Sequence, residues 1–596
     1  MRLQTLSSTQ SAPAPPLEVA VKRSDPIYNA HGYLTKVPVP AIVPFIEAFT
    51  DPGETVLDVY AGSGMTGVAA LICDRNAELR DISVLAKHIG TNYVNLVDAG
   101  QLHEAARAAV TAAKDHVGDV YAVACENCSE QAELIRTTWS KVFACPSCTA
   151  PINYYRALES ANWQKRKLAC ASCGEDLEAR RARWVTDEAV VDTIDCRCTG
   201  TQREQAPSEP LDPPNLAGLD WPDVPIGEER QMFQANALGK YGLASTARFF
   251  SDRNLGALAA LRDAIGAVAD DAIRNKLMFA FTAILARASK RYQWSRARPL
   301  NAANQNYYIA PVFFEWNVFD LFLRKVTAIA RSDEFISRER RRRGASEDAK
   351  VNYKVGSAET LDLPDASIDY VFTDPPFGSN IFYSDMNLFQ EAWLGRFTDH
   401  AREAVVDRSG ARTGRRSAER YEELITDSLR ECYRVLKPGR WLSLVFSNSS
   451  GEMWALVQRA IHTAGFQLEH VSLLDKGQRS VKGLASGFEN TVTYDLILSM
   501  RKTATASEIA IATPADGFFE NSLNAVLSDG ADSPSHVYLG VIRAYLERRL
   551  NLGEVDMAHV AQALSDRGYR VDAATGLFVE SRQDAFAQEA LFQRAP

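Results

Sequence analysis

The spacing of hydrophobic positions switches along the chain between the helical and the extended period. AIVPFIEAF (41–49) has helical spacing, and ETVLDVY (54–60) is a short apolar run that ends in a carboxylate. AGSG turns the chain, and MTGVAALI (65–72) resumes the helical period. Strand, glycine turn and helix in that order predict the opening half of a Rossmann-like sheet. Alternation returns at SIDYVFTDPPFG (367–378), and WLSLVFSNSS (441–450) and YDLILSM (494–500) read as buried strands. MWALVQRAIHTAGF (453–466) between them reads as a helix stopped by glycine. From 230 to about 345 the pattern is mostly helical, as in NLGALAALRDAIGAVA (254–269) and IRNKLMFAFTAILARA (273–288).

Composition narrows this. At 596 residues the chain has room for three to five units of about 100–200 residues each. Its 46% hydrophobic and 24% charged residues are ordinary for a globular protein. No apolar run reaches the roughly 18–20 residues a membrane span needs, and no secretion signal opens the sequence, so a cytoplasmic location without membrane attachment is expected. The formal charge of −9 confines any nucleic-acid surface to a local patch. The expected organisation is a disordered tail (1–26), a first core segment (27–120), a cysteine-rich insertion (121–200), a proline-rich linker (201–229), a helical insertion (230–350), a second core segment (351–502) and a small C-terminal helical domain (516–596).

Asp58-Val-Tyr-Ala-Gly62-Ser-Gly64 sets a carboxylate at a strand end and glycines in the turn. Glycine lets backbone N–H groups approach a ligand, and the following helix presents its positive end. Such a turn suits a dinucleotide, a phosphate or the methionine end of S-adenosylmethionine, and an ordinary βα turn shares the pattern. Asp58 favours a ligand bearing an ammonium over a pyrophosphate. Asp81, after the next short apolar run, is placed to take ribose hydroxyls.

Asp374-Pro375-Pro376-Phe377 follows a strand at the end where α/β ligands bind. The prolines stiffen the backbone and remove two N–H donors. The Asp374 carboxylate and the Pro375 carbonyl match the two hydrogens of an exocyclic amino group, and Phe377 offers a flat face for stacking. A second copy, Asp212-Pro213-Pro214-Asn215, sits in the linker with no strand before it and no aromatic after it, and reads as structural.

Eight of the ten cysteines fall between residues 125 and 198. Cys125-x2-Cys128 and Cys145-x2-Cys148 have four-cysteine zinc spacing, and Cys170-x2-Cys173 with Cys196-x-Cys198 forms a looser second set. Interleaved pairing is open. Disulfides are disfavoured without secretion and scattered core cysteines by the clustering. One or two structural zinc ions are expected, with Cys73 and Cys432 as buried bystanders.

Together these segments resemble the amino-group DNA methyltransferases, which methylate adenine N6 or cytosine N4, and most of all the zinc-ribbon-containing adenine-specific DNA methylases. The resemblance rests on residues 31–71, RDISVLAKHIGTNY (80–93), the CxxC pairs, NYYIAPVFFEWNVF (306–319), residues 367–386 and LRECYRVLKPGRWLSLVF (429–446). It implies an α/β, Rossmann-like class I methyltransferase core interrupted by a Cys-rich zinc-ribbon insertion and a helical insertion. It further implies S-adenosylmethionine held by Asp58, Tyr60, Gly62, Gly64 and Asp81, with Thr35 and Lys36 near the methionine end, and Asp374, Pro375, Pro376 and Phe377 as the catalytic loop. The order of the motifs places target recognition in the gap between them. Val59 and Tyr60 stand where the family usually has Pro-Phe, Val84 where it has Pro, and Gly356-Ser357 where many methyltransferases have an acid.

Arg287, Lys290, Arg291, Arg296 and Arg298 with Tyr292 and Trp294 between them contain no acid, a pattern suited to phosphate contact and base stacking. A solvated helix face is the plainer reading of a charge run. Arg338 with Arg340–Arg343, and Arg412, Arg415, Arg416 and Arg420, form further basic runs without an assigned role. The expectation is a site-specific DNA methyltransferase acting on a flipped base of double-stranded DNA, adenine preferred. Cytosine N4 methylation, RNA methylation and a catalytically idle zinc-ribbon nucleic-acid-binding protein are the alternatives. Whether a restriction or defence partner exists is not specified by the sequence.

Overall fold

The structure, a computed structural model, describes residues 14–579 except 22–24, 166–167, 180, 199, 210, 212–213, 229, 232, 234–237, 239–241, 297–299, 302–306, 379–380, 407–416, 476–491, 504–510 and 573–574. Two eight-stranded sheets organise it. β1 (Glu18–Ala20), β2 (Thr55–Asp58) and β3 (Asn76–Asp81) belong to the first. The second takes β4 (Ala122–Ala124), β5 (Gln131–Ala144), β6 (Pro151–Asn153), β7 (Arg183–Asp195), β8 (Gln202–Gln205), β9 (Tyr292–Gln293), β10 (Leu300–Asn301) and β11 (Val312–Trp316). The first resumes with β12 (Val351–Val355), β13 (Ile368–Thr373), β14 (Leu436–Phe446), β15 (Phe466–Asp475) and β16 (Tyr494–Lys502).

The first sheet runs β1-β15-β16-β14-β13-β2-β3-β12. It is parallel except for β16, which is antiparallel to both neighbours. The chain steps outward from β2 through β3 to β12, then returns to lay β13 on the other side of β2. That reversal is a topological switch point, where the diverging connections leave a crevice at the carboxyl ends of the strands. All six residues of β13 are buried, as expected of a strand covered on both faces. One face carries the helices Val39–Phe49, Met65–Ile72, Asp252–Gly266, Asp271–Ala288 and Val318–Arg342 in a single apolar core. The other carries Ala418–Val435, Gly451–Thr463 and the C-terminal helices Phe518–Ser528, Pro534–Glu547 and Met557–Asp566. None of the described helices is long and apolar enough to cross a membrane.

Three differences from the sequence expectations have physical causes. Glu18–Ala20, expected within the loose tail, extends the sheet edge along β15 with Val19 buried, because an open edge offers unpaired backbone groups. The stretch expected to be helical contributes β9, β10 and β11, and β11 pairs with β5. VFFEW is apolar but for Glu315 and too short for its periodicity to separate a buried strand from a helix. The cysteine-bearing strands therefore share one sheet, in the order β10-β9-β11-β5-β7-β8, with residues well beyond them.

Candidate active site

The glycine turn joins β2 to the helix Met65–Ile72. Gly64 has φ +78°, and a Cβ there would stand 2.7 Å from the Gly90 Cα, so both the backbone and the packing demand glycine. Asp58 is buried beneath the turn. One of its oxygens accepts the Thr66 hydroxyl at 2.6 Å, and the other accepts the Thr373 hydroxyl at 2.8 Å and the Tyr60 N–H at 3.1 Å. Burial pushes its carboxyl up to about 6, against the pull of those bonds. Thr373 immediately precedes Asp374, so Asp58 ties the turn to the Asp-Pro-Pro loop across 315 residues of sequence. Asp81 works on the same turn: it accepts the Gly62 N–H and the Ser83 N–H, both at 2.8 Å. Its carboxyl is also raised by burial.

At the end of β13 the Asp-Pro-Pro loop is held by its carbonyls. Pro376 accepts the Tyr421 hydroxyl, and Phe377 accepts the Asn448 amide at 2.8 Å. Among the described residues the Pro375 carbonyl accepts no hydrogen bond, though Pro375 itself is buried. The Phe377 ring is half-buried and lies edge-on to Phe446 at 5.3 Å. The next helix, Tyr383–Leu394, is capped from a distance: Glu403 accepts the Tyr383 and Ser384 N–H groups and the Ser384 hydroxyl. Tyr383 shares a 2.9 Å hydrogen bond with Thr35, which fixes the early segment against the helix after the catalytic motif.

Most of these pieces line one solvent-open cleft of about 1000 Å³, which Gly64, Pro375 and Phe377 do not border. Thr35, Asp58, Tyr60, Gly62, Asp81, Asp374 and Pro376 all border it. Lys36 also borders it, but its ammonium turns away to the carbonyls of Tyr28 and His31 and the Tyr93 hydroxyl. Burial lowers that amine to about 7. The sequence did not point to Tyr33, Asn387, Arg402 or Glu403, which also line the cleft. Their signal is tertiary, since none belongs to a local motif. Gly356 and Ser357 stand at the rim without an acid, but Glu359, hydrogen-bonded to Ser357 at 3.1 Å, brings a carboxylate to the same wall.

The cysteines form two groups, in a pairing that corrects the spacing-based one. Cys125, Cys128, Cys196 and Cys198 converge, as do Cys145, Cys148, Cys170 and Cys173, with the sulfurs of each group within 4.8 Å of one another. The reason is β5. Its fourteen residues separate Cys128 from Cys145 by roughly 45 Å of extended chain at about 3.3 Å per residue. The antiparallel β7 returns Cys196 to the first end, pairing Asp195 with Glu133. Each group is arranged to hold a tetrahedral metal ion.

The basic run divides. Arg291 is wholly buried, its guanidinium 3.8 Å from the Phe389 ring centre and its pKa lowered by burial to about 10. Tyr292 is buried as well, and Arg287 donates to its hydroxyl at 2.7 Å. These groups build the core and do not face a nucleic acid. Lys290 and Trp294 are half-buried and Arg296 is exposed. Arg298 lies outside the described residues, as do Asp212, Pro213, Arg412, Arg415 and Arg416.

Residues 16–98 match the family model described as DNA methylase, of the N6/N4 group. Comparison with curated protein sequences gives no match. Similar solved structures include TrmN from Thermus thermophilus, at 18% identity over 30% of this chain and 34% of that one, TM-score 0.15. A proposed DNA modification methylase, also from Thermus thermophilus, has 17% identity over 28% of this chain and 57% of that one, TM-score 0.15. An S-adenosylmethionine dependent methyltransferase from Mesorhizobium loti has 13% identity over 28% and 76%, TM-score 0.15. The chain thus spans about a third of the first and little over half of the second. Overlaps this slight carry no weight for function, and the fold rests on the strand order above. With the glycine turn and Asp81 inside the matched segment, the chain is similar to the amino-group (N6/N4) DNA methyltransferases.

Proposed function

We propose that this chain is an S-adenosylmethionine-dependent DNA methyltransferase that acts on the exocyclic amino nitrogen of a flipped base, adenine N6 in preference to cytosine N4. One observation carries the reading: Asp374 shares a cleft with the glycine turn at the switch point of the sheet. The cleft fits the cofactor by its donor set. It offers Asp58 toward an ammonium, Asp81 toward ribose hydroxyls and the Gly62 turn for close backbone approach. S-adenosylmethionine, when bound, supplies an electrophilic methyl group.

The chain's own residues prepare the nucleophile. The Asp374 carboxylate and the Pro375 carbonyl accept the two N–H groups of the base, which localises the nitrogen lone pair. Asp374 is then placed to take the surplus proton. Phe377 supplies the stacking contact. Extrusion of the base is required because the amino group is otherwise engaged in pairing. Adenine is preferred on the family resemblance. The two cysteine groups are proposed as structural zinc sites, since four thiolates leave no open position for catalysis. The helical insertion, residues 230–350, is proposed to carry target recognition.

The test is transfer of labelled methyl from S-adenosylmethionine to DNA, with tRNA and rRNA in parallel. Asp374→Ala is expected to lower the rate by roughly 10²–10⁴-fold while leaving cofactor affinity in place. Nucleoside analysis of the product separates N6-methyladenine from N4-methylcytosine. Equal incorporation by the variant would remove Asp374 from the reaction.

A further inference from the structure

The outer cysteine group, Cys145, Cys148, Cys170 and Cys173, has its own small core of Phe143, Ile152, Tyr154, Leu158, Leu168 and Leu177. Three aromatic rings meet on its flank: Tyr155 and Trp163 from this module and Trp294 from the loop after β9. Their centroids form a triangle with every side 5.4 Å. The two indoles lie 31° from parallel, and Tyr155 stands nearly edge-on to both. The Arg296 guanidinium sits 5.3 Å from the Trp163 ring centre.

This cluster differs from core packing in three respects. All three rings are only half-buried, while Arg296 and the neighbouring Lys165 are exposed. Among the described residues neither indole N–H has an acceptor, and Arg296 has no acidic partner. Trp163 is also held at φ +65°, a left-handed conformation that bulky residues seldom adopt, with its backbone N–H donated to the Leu158 carbonyl at 2.6 Å. The turn lies directly after the helix Tyr154–Ser160, and its indole rests against Trp294. Aromatic faces beside a free guanidinium are the chemistry of an unpaired base with its phosphate.

We propose that the Tyr155–Trp163–Trp294–Arg296 face is a second nucleic-acid contact, separate from the methyl-transfer cleft, which stacks an unpaired DNA base and engages its phosphate. The inference rests on the methyltransferase reading only for the choice of DNA as occupant. It also locates the nucleic-acid role of the 287–298 run in its last exposed residues and joins them to two residues of the cysteine module.

The experiment uses the full chain with zinc content and circular dichroism as folding controls. Affinity for a labelled duplex carrying one unpaired base is measured beside that for a fully paired duplex. Trp294→Ala and Trp163→Ala are expected to weaken binding of the unpaired-base duplex roughly tenfold, and Trp294→Phe to recover most of the loss. Arg296→Ala is expected to lower the salt dependence by about one phosphate contact. Indole emission of the unsubstituted protein should be quenched on titration with this DNA. Unchanged affinity in Trp294→Ala with zinc retained, or affinity equal for the two duplexes, would overturn the proposal. Calorimetry with S-adenosylmethionine on the same preparation separates the two readings: absent cofactor binding with an intact Trp294 effect rejects the methyltransferase and keeps this face.

Discussion

The two sheets solve the same problem by different means. In the parallel sheet, β13 is buried along its whole length and its neighbours fill both faces, so cohesion comes from apolar burial at about 25 cal/mol per Å². In the antiparallel sheet, β7 is exposed or half-buried over most of its length, and its pairing with β5 is broken by three register shifts. At its ends that sheet gathers eight cysteine sulfurs into two groups. The parallel sheet can thus spend its carboxyl edge on polar chemistry, where Asp58 and Asp81 are buried against backbone and hydroxyl donors. The antiparallel sheet carries at its ends the two cysteine groups proposed as zinc sites.

The two cysteine groups should not be equivalent within that scheme. Cys125 and Cys196 belong to the same apolar core as the helices behind the cleft, whereas Cys145 and Cys170 belong to the small outer core. Cys196→Ser should therefore cost the chain on the order of 4 kcal/mol or more, read as a fall in the thermal midpoint that zinc does not restore. Cys173→Ser should release its ion while the main unfolding transition stays nearly in place. If both lowered the main transition equally, the contrast between the groups would collapse.

On the parallel side, Gly64→Ala forces a side chain onto Gly90 and a positive φ. A cost of about 3 kcal/mol is expected, with loss of cofactor binding by calorimetry. Asp58 offers a test by pH. Its carboxyl moves from 3.8 in the unfolded chain to about 6 when folded, so the folded state binds the extra proton between those values. Its contribution to stability is whole below 3.8 and is lost as pH rises to about 6, a loss of about 3 kcal/mol. Asp58→Asn should flatten that slope in urea titrations run across the same range. A slope unchanged by the substitution would mean that another group titrates there.

The smallest effect is expected at Arg203, whose guanidinium donates to the Cys125 sulfur at 3.3 Å and to Gln205 at 3.2 Å. Arg203→Ala should cost about 1 kcal/mol and speed metal release to a chromogenic chelator, without touching the outer group.

Much of the cleft was legible because its parts are local. A carboxylate, two glycines and a helix within a dozen positions signal a βα turn, and a strand followed by Asp-Pro-Pro-Phe fixes its own context. The bonds that join those parts were not legible. The Asp58–Thr373 hydrogen bond and the Glu403 cap on the helix Tyr383–Leu394 connect residues that no period or spacing relates. The run at 287–298 shows the same limit. Charge counted along the sequence marked Arg291 as a surface group, yet the fold lays it on Phe389.

By itself the sequence determined the strands that flank the cleft, the turn that only glycine can make, the proline-stiffened loop and the eight clustered thiols, because each is set by φ limits, donor counts or ligand chemistry within a short window. The tertiary structure decided which strand lies beside β2, and hence that Asp374 meets the glycine turn. It also decided which cysteines share a site, because a strand as long as β5 carries neighbours in sequence to opposite ends of a sheet and its antiparallel partner brings distant ones back.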